Sequence, residues 1–414
     1  MGVAQAAEAV ARASYGKLIA FLAARTRDVP AAEDALSEAF AAALADWPVS
    51  GIPRVPEAWL LTVARRKLID AARRRRSGDE AAPTLALIAG ELSDPDEADA
   101  IPDDRLRLMF ACAHPAIDAG VRAPLILQTV LGFDAAEIGA AFLVAPSTMG
   151  QRLVRAKSRI REAGIPFRVP GRDEHAPRLD AVLEAIYAVY AQGWSDPAGT
   201  QTHSRGLADE GLWLGRLVAS LLPDEPEALG LLALMLHAQA RLDARRDAHG
   251  EFVPLDAQRP QDRNAKLIDE AEAVLMHASR MNAPGRFQLE AAVQSVHAAR
   301  RMTGATDWPA IVTLYDALYV LTGSDVVAIN RAVAIAGVSQ GQRGALEGLA
   351  ALDALQVDAQ LARYQPYWAA RAALHARAGD TQRAADAYRR AIGLETDPAV
   401  RRFLQAKLDG IARA

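Results

Sequence analysis

Most of the recognisable chemistry in this sequence is carried by arginine, and it is concentrated in two places. The segment WLLTVARRKLIDAARRRR (residues 59–76) holds seven cations and one acid in a chain whose formal net charge is −4. The segment PSTMGQRLVRAKSRIRE (residues 146–162) holds five cations and one acid. Guanidinium groups are planar forks that pair bidentately with phosphate oxygens and guanine edges, so such clusters are the footprint of a polyanionic partner. No catalytic constellation competes with that reading. The sequence has no P-loop, no glycine-rich nucleotide turn, no HExxH and no GxSxG, which predicts neither an enzyme nor a cofactor. Cys112 and His114 are too few ligands for zinc, and the lone cysteine reads as a buried thiol. His203, His237 and His297 have no acidic partner at a telling spacing and read as structural.

The elements that must position the arginines follow from periodicity. Leu61, Ala64, Leu68 and Ala71/Ala72 recur every three or four residues, which predicts an amphipathic helix ending in Arg73 to Arg76. In the second segment, Asp134 can cap a helix and Glu137 can reach back to it, a capping box. A short helix over 135–141 with Ile138 inward is followed by a turn at 142–145. Pro146 then suits the first position of a second helix. That helix puts Met149, Leu153 and Ala156 on one side and Thr148, Gln151, Arg152, Arg155 and Arg159 on the other. The pair predicts a helix-turn-helix whose second helix enters the DNA major groove. Leu143 stands where such turns often carry glycine, and Ala145 stands where Ser or Thr would cap.

Apolar content of 51% with only 6% aromatic residues means cores of alanine and leucine, which favours an all-α chain of two to four domains. Charge divides the chain. Residues 1–76 carry net +4, residues 77–104 carry nine acids and no cation, and residues 105–172 carry net +6. The acidic stretch reads as a linker, with TLALIAGEL able to form one short helix. It could also screen the basic units in the free protein. The N-terminus has neither a signal-peptide pattern nor a myristoylation site. The longest uncharged run, residues 138–151, is too short to span a bilayer, so the expectation is a cytoplasmic protein with no membrane partner. From about residue 178 the pattern is helix after helix. The triplets Ala271/Leu275/Ala278, Ala310/Leu314/Ala317, Ala345/Leu349/Leu352 and Ala384/Tyr388/Ala391 recur at spacings of 39, 35 and 39 residues. A helix pair is expected to join at Gly379–Asp380. VYAQGWSDPAG (residues 189–199) and PLDAQRPQDRN (residues 254–264) interrupt the helical pattern and read as loops.

Taken together, these parts resemble a bacterial RNA polymerase sigma factor of the extracytoplasmic function group of the sigma-70 family. AAEDALSEAFAAALADWP (31–48) is similar to the helix that binds the polymerase clamp, PEAWLLTVARRKLIDAARRRR (56–76) to the promoter −10 helix, and residues 146–162 to the −35 recognition helix. The long extension resembles the subgroup with a C-terminal tetratricopeptide-like domain, on DWPAIVTLYDAL, VVAINRAVAIA and RRFLQAKL. The resemblance implies region 2 over 1–76, a linker over 77–103, region 4 over 104–172 and a helical repeat extension over 173–414. It implies −10 contacts by Arg54, Trp59, Arg65, Arg66, Arg73 and Arg74, with Arg66 at a position where the family commonly has Asn. The loop WPVSGIPRVPE would hold a flipped base. Thr148, Gln151, Arg152, Arg155 and Arg159 would read the −35 element, and Asp34, Leu36, Glu38 and Phe40 would bind polymerase. The implied partners are core RNA polymerase, through its beta-prime clamp and beta flap, and promoter DNA. A protein or peptide would be the ligand of the extension. The competing reading is a polymerase-independent helix-turn-helix regulator with a helical sensor domain.

Overall fold

The computed structural model describes residues 3–75, 103–142, 144–194, 202–358 and 361–413. It is all-α. Eighteen α-helices and three short 3₁₀ turns make up the described elements, and the one β interaction among these residues is an isolated bridge between Arg246 and Phe252. No described helix is long and apolar enough to cross a membrane. The chain forms two compact units, Met1–Gly193 with His203–Gly211, and Trp194–Thr202 with Leu212–Ala414.

The first unit is built on α1 (Val3–Thr26), α2 (Val29–Ser50), α3 (Pro56–Arg75), α4 (Arg105–Cys112), α5 (Ala119–Leu131), α6 (Ala135–Ala141), α7 (Pro146–Glu162) and α8 (Arg172–Trp194). Leu18, Ile19 and Leu22 of α1 are wholly buried, and α1 packs on α2, α3, α4 and α5. The approach of α1 to α5 requires glycine at position 16, because a Cβ there would lie 2.0 Å from the Val130 carbonyl oxygen. Cys112 is buried as expected. Its Sγ lies 3.4 Å from the Thr129 hydroxyl, and burial pushes the thiol up to about 12.

Two boundaries differ from the sequence expectation. Helix α8 carries on to Trp194, so residues 189–194 are helical rather than loop. Ile186, Val189 and Tyr190 continue its buried stripe, and that burial outweighs the Gly193 signal. The helix also belongs with the first unit: Arg178 Nη2 donates to the Phe110 carbonyl of α4 at 2.8 Å. The linker at 77–102, Arg76, Leu143 and residues 195–199 lie outside the described residues.

Helix α9 (Thr202–Leu221) is divided between the units, and from Leu212 the second unit continues through α10 (Pro226–Gln239), α11 (Ala265–Ser279), α12 (Arg286–Thr303), α13 (Trp308–Thr322), α14 (Asp325–Ser339), α15 (Gly341–Asp353), α16 (Gln365–Ala378), α17 (Thr381–Leu394) and α18 (Pro398–Arg413). Helix α10 packs on both α11 and α12, and from α13 onward each helix packs mainly on its neighbours in sequence, the arrangement of a stacked helical array. The four sequence triplets fall on α11, α13, α15 and α17. Three of them are buried or nearly so. On α13 the register is displaced by one, because Ala317 is exposed and the buried positions are Ile311 and Leu318. The helix pair at Gly379–Asp380 forms as expected: Gly379 adopts φ +85 at the end of α16, and the Asp380 carboxylate accepts from the Arg383 amide at 3.0 Å.

Candidate nucleic-acid interface

The helix-turn-helix forms over the expected residues. The Asp134 Oδ1 accepts from the amides of Ala136 and Glu137 at 2.8 Å each, and the Glu137 carboxylate accepts from the Asp134 amide at 2.9 Å. This is a complete capping box. The turn needs a glycine at position 139. A Cβ on Gly139 would meet the Val144 carbonyl oxygen at 2.6 Å. Helix α7 starts at Pro146 behind Ala145, which offers no side-chain cap. Ala145 has φ −56 and ψ 137, a conformation that a capping serine adopts. Ala145→Ser is therefore expected to stabilise the protein by about 1 kcal/mol, read as a higher urea midpoint at unchanged slope.

Met149, Leu153, Ala156 and Ile160 of α7 are buried, and Thr148, Gln151, Arg152, Arg155 and Arg159 are all exposed. The five predicted reading residues thus share one solvent-facing side. Arg155 donates to the Gln151 side-chain oxygen at 3.5 Å. Arg152, Arg155 and Arg159 also line an open groove of about 440 Å³ whose other wall is Ala116, Ile117, Asp118 and Val121.

On α2 and α3 the predicted residues divide. Arg66 and Arg54 are exposed. Trp59 is half-buried, edge to face with the buried Trp47 at 5.6 Å and 66°. Arg65 is half-buried. Its guanidinium lies 5.2 Å from the Phe21 ring centroid, turned toward α1, and burial and the Arg25 charge hold its pKa below the usual guanidinium range. Arg65 points about 100° around the helix from the exposed Arg66, and that direction meets α1. Arg73 and Arg74 end α3, but their side chains lie outside the described residues. The loop read over 47–57 is shorter than expected, since α2 runs through Pro48 to Ser50. Val49, Ile52 and Val55 are nonetheless exposed, an apolar edge beside Arg54.

Of the residues predicted to meet polymerase, Asp34 and Glu38 are exposed and Phe40 is half-buried. Glu38 pairs with Lys67 of α3 at 2.9 Å. Leu36 is a correction: it is 0% exposed, a core residue that presents nothing to a partner.

Sequence reasoning missed the residues that join these two faces. Lys157 of α7 and Glu33 of α2 form a largely buried ion pair at 2.6 Å, and Arg161 of α7 stands 3.6 Å from Asp28 at the start of α2. Arg25 of α1 pairs with Asp104, ahead of α4, at 3.2 Å. Burial raises the Glu33 pKa above its usual value even with Lys157 alongside and lowering it. The only sequence trace of the Glu33–Lys157 pair is a charge on the apolar side of each helix.

Known proteins resemble the chain in corresponding parts. Residues 10–78 match sigma-70 region 2, and residues 178–279 match DUF6596, a family of unknown function. An uncharacterized protein of Rhizobium meliloti is 38% identical over 392 residues, covering 93% of this chain and 91% of that protein. The ECF RNA polymerase sigma factor SigL of Mycobacterium tuberculosis is 34% identical over 157 residues, covering 37% of this chain and 87% of SigL. No solved structure matches. The chain belongs to the sigma-70 family.

Proposed function

We propose that this protein is a cytoplasmic, non-enzymatic sigma factor of the extracytoplasmic function type. It binds core RNA polymerase through α2, at the beta-prime clamp, and through the helix-turn-helix, at the beta flap. Arg54, Trp59 and Arg66, with Arg73 and Arg74, act at the −10 element, and α7 reads the −35 element. The second unit, a tetratricopeptide-like extension, modulates activity through protein contacts. The observation that carries the reading is the exposed row Thr148, Gln151, Arg152, Arg155 and Arg159 in a chain that also matches sigma-70 region 2. Thr148, Gln151 and Arg152 lie near the N-terminal end of α7, where side chains reach base edges, and Arg159 lies where they reach phosphates.

Core RNA polymerase reconstituted with the protein is expected to initiate at a promoter carrying both elements. Failure to bind core polymerase overturns the proposal. Tight, specific binding to duplex DNA by the protein alone supports the other reading, a helix-turn-helix regulator that works without polymerase.

A further inference from the structure

The second unit holds a cavity of about 420 Å³, within the range of small-molecule sites, and promoter recognition makes no use of it. Its walls come from the loop before α11, from α12, α13 and α14, and from the end of α16. This loop is the segment 254–264 that breaks the helical pattern of the sequence.

One wall is aromatic. Trp308 and Tyr315 of α13 face the cavity together with His297 of α12, whose ring meets the indole edge to face at 5.8 Å and 81°. The indole lies flat against α14 because position 337 is glycine, where a Cβ would come within 2.3 Å of the ring. Burial, helped by the charges of Arg241, Arg263 and Arg300, pushes His297 down to about 4, so it is a neutral ring at pH 7.

The rest of the lining is cationic. Arg263, Arg300 and Arg377 all reach the cavity, and each donates only to backbone oxygens: His297 O at 3.4 Å, Asp256 O at 2.6 Å and Ala336 O at 3.0 Å respectively. None has a carboxylate partner among the described residues, and Asp256 is the single acid on the wall. The Arg263 Nε is buried with no hydrogen-bond partner. Charges of one sign gathered with little counter-charge, and a buried donor left unused, are both unfavourable in an empty site. A bound anion relieves both.

We infer that this cavity binds a small organic anion with a flat unsaturated body, the guanidiniums holding its carboxylate or phosphate head and the aromatic wall stacking on its body. Val333, exposed on the lining, marks the mouth. The site stands apart from the transcription reading. Binding by the full chain tests this inference, and the polymerase assay tests the other.

The full-length protein is titrated with 2-naphthoate, with 2-naphthyl phosphate and with neutral 2-naphthamide, following tryptophan fluorescence and heat. At least one anion is expected to bind saturably and roughly tenfold or more tighter than the amide, and the tighter of the two identifies the head group. Arg377→Gln, at an exposed position, is expected to weaken the anion by roughly tenfold while leaving amide binding and the thermal midpoint unchanged. Val333→Trp is expected to close the site to every probe. Anions that bind no tighter than the amide, or binding that survives both substitutions in folded protein, overturn the inference.

Discussion

Replacing Gln151 and Arg152 together with alanine is expected to cut transcription from the cognate promoter by at least roughly thirtyfold, with no loss of binding to core polymerase. The magnitude follows from the contacts that these residues can make. A bidentate pair to a base edge contributes about 1–3 kcal/mol of discrimination, so two of them contribute at least about 2 kcal/mol, and each 1.36 kcal/mol is tenfold. Both side chains are exposed on α7, and Met149, Leu153 and Ile160, which hold the helix in place, are on its opposite side. The double variant should therefore unfold at the same denaturant concentration as the parent. Arg159→Ala supplies the contrast. It sits two turns further along, where phosphate contact is expected, so its loss should weaken all sequences about equally and reduce the salt slope by about one. If Arg159→Ala changed sequence preference and Gln151→Ala/Arg152→Ala did not, the assignment of reading and positioning residues along α7 would be reversed.

What the sequence reveals depends on how far apart the interacting residues are. The capping box at Asp134–Glu137, the start of α7 at Pro146 and the alternation of buried and exposed positions along it are local, and they are readable from residues a few places apart. The helix pair at Gly379–Asp380 is local as well. The misreadings all involve packing across the chain. Leu36 is wholly buried and the Arg65 guanidinium turns toward Phe21 of α1, and residue type alone signals neither. The need for glycine at position 139 is set by the approach of the Val144 carbonyl, which residue type does not signal. His237 has no acidic partner at a telling spacing in the sequence, yet Glu272 stands 3.6 Å away, on a helix 35 residues on. Glu227 likewise caps α12 from α10, accepting from the amides of Phe287 and Gln288 at 2.9 and 3.1 Å. The anionic-ligand cavity belongs to the same class, since its three arginines come from positions 263, 300 and 377.

Lys157→Ala is expected to destabilise the first unit by about 3–5 kcal/mol at neutral pH, because it strands the Glu33 carboxylate in a buried site. Glu33→Leu with Lys157→Met, which replaces the pair by apolar groups, is expected to be neutral or stabilising. Urea titrations of the three proteins check both values, and a Lys157→Ala deficit below about 0.5 kcal/mol would show that the pair adds nothing to the packing. The deficit should also depend on pH. Burial already raises the Glu33 pKa above the usual 4.5, and removing Lys157 takes away the neighbour that lowers it. A group whose pKa is raised on folding stabilises fully below its unfolded pKa and loses that contribution as pH rises through the folded one, so the variant recovers on acidification. The pair also bears on promoter binding. A compact body of about 200 residues has a radius of gyration of about 17 Å and a diameter near 45 Å. Elements centred roughly 25 base pairs apart are about 85 Å apart along DNA. If the protein acts as proposed, the α2–α3 face and the α7 face reach both elements only after α7 leaves α2, and the Glu33–Lys157 pair is among the contacts that must break. Under that constraint Lys157→Ala shifts the population toward the open form and Glu33→Leu/Lys157→Met shifts it away. Promoter-dependent transcription at limiting protein should rise for the first and fall for the second, the reverse of their order in stability.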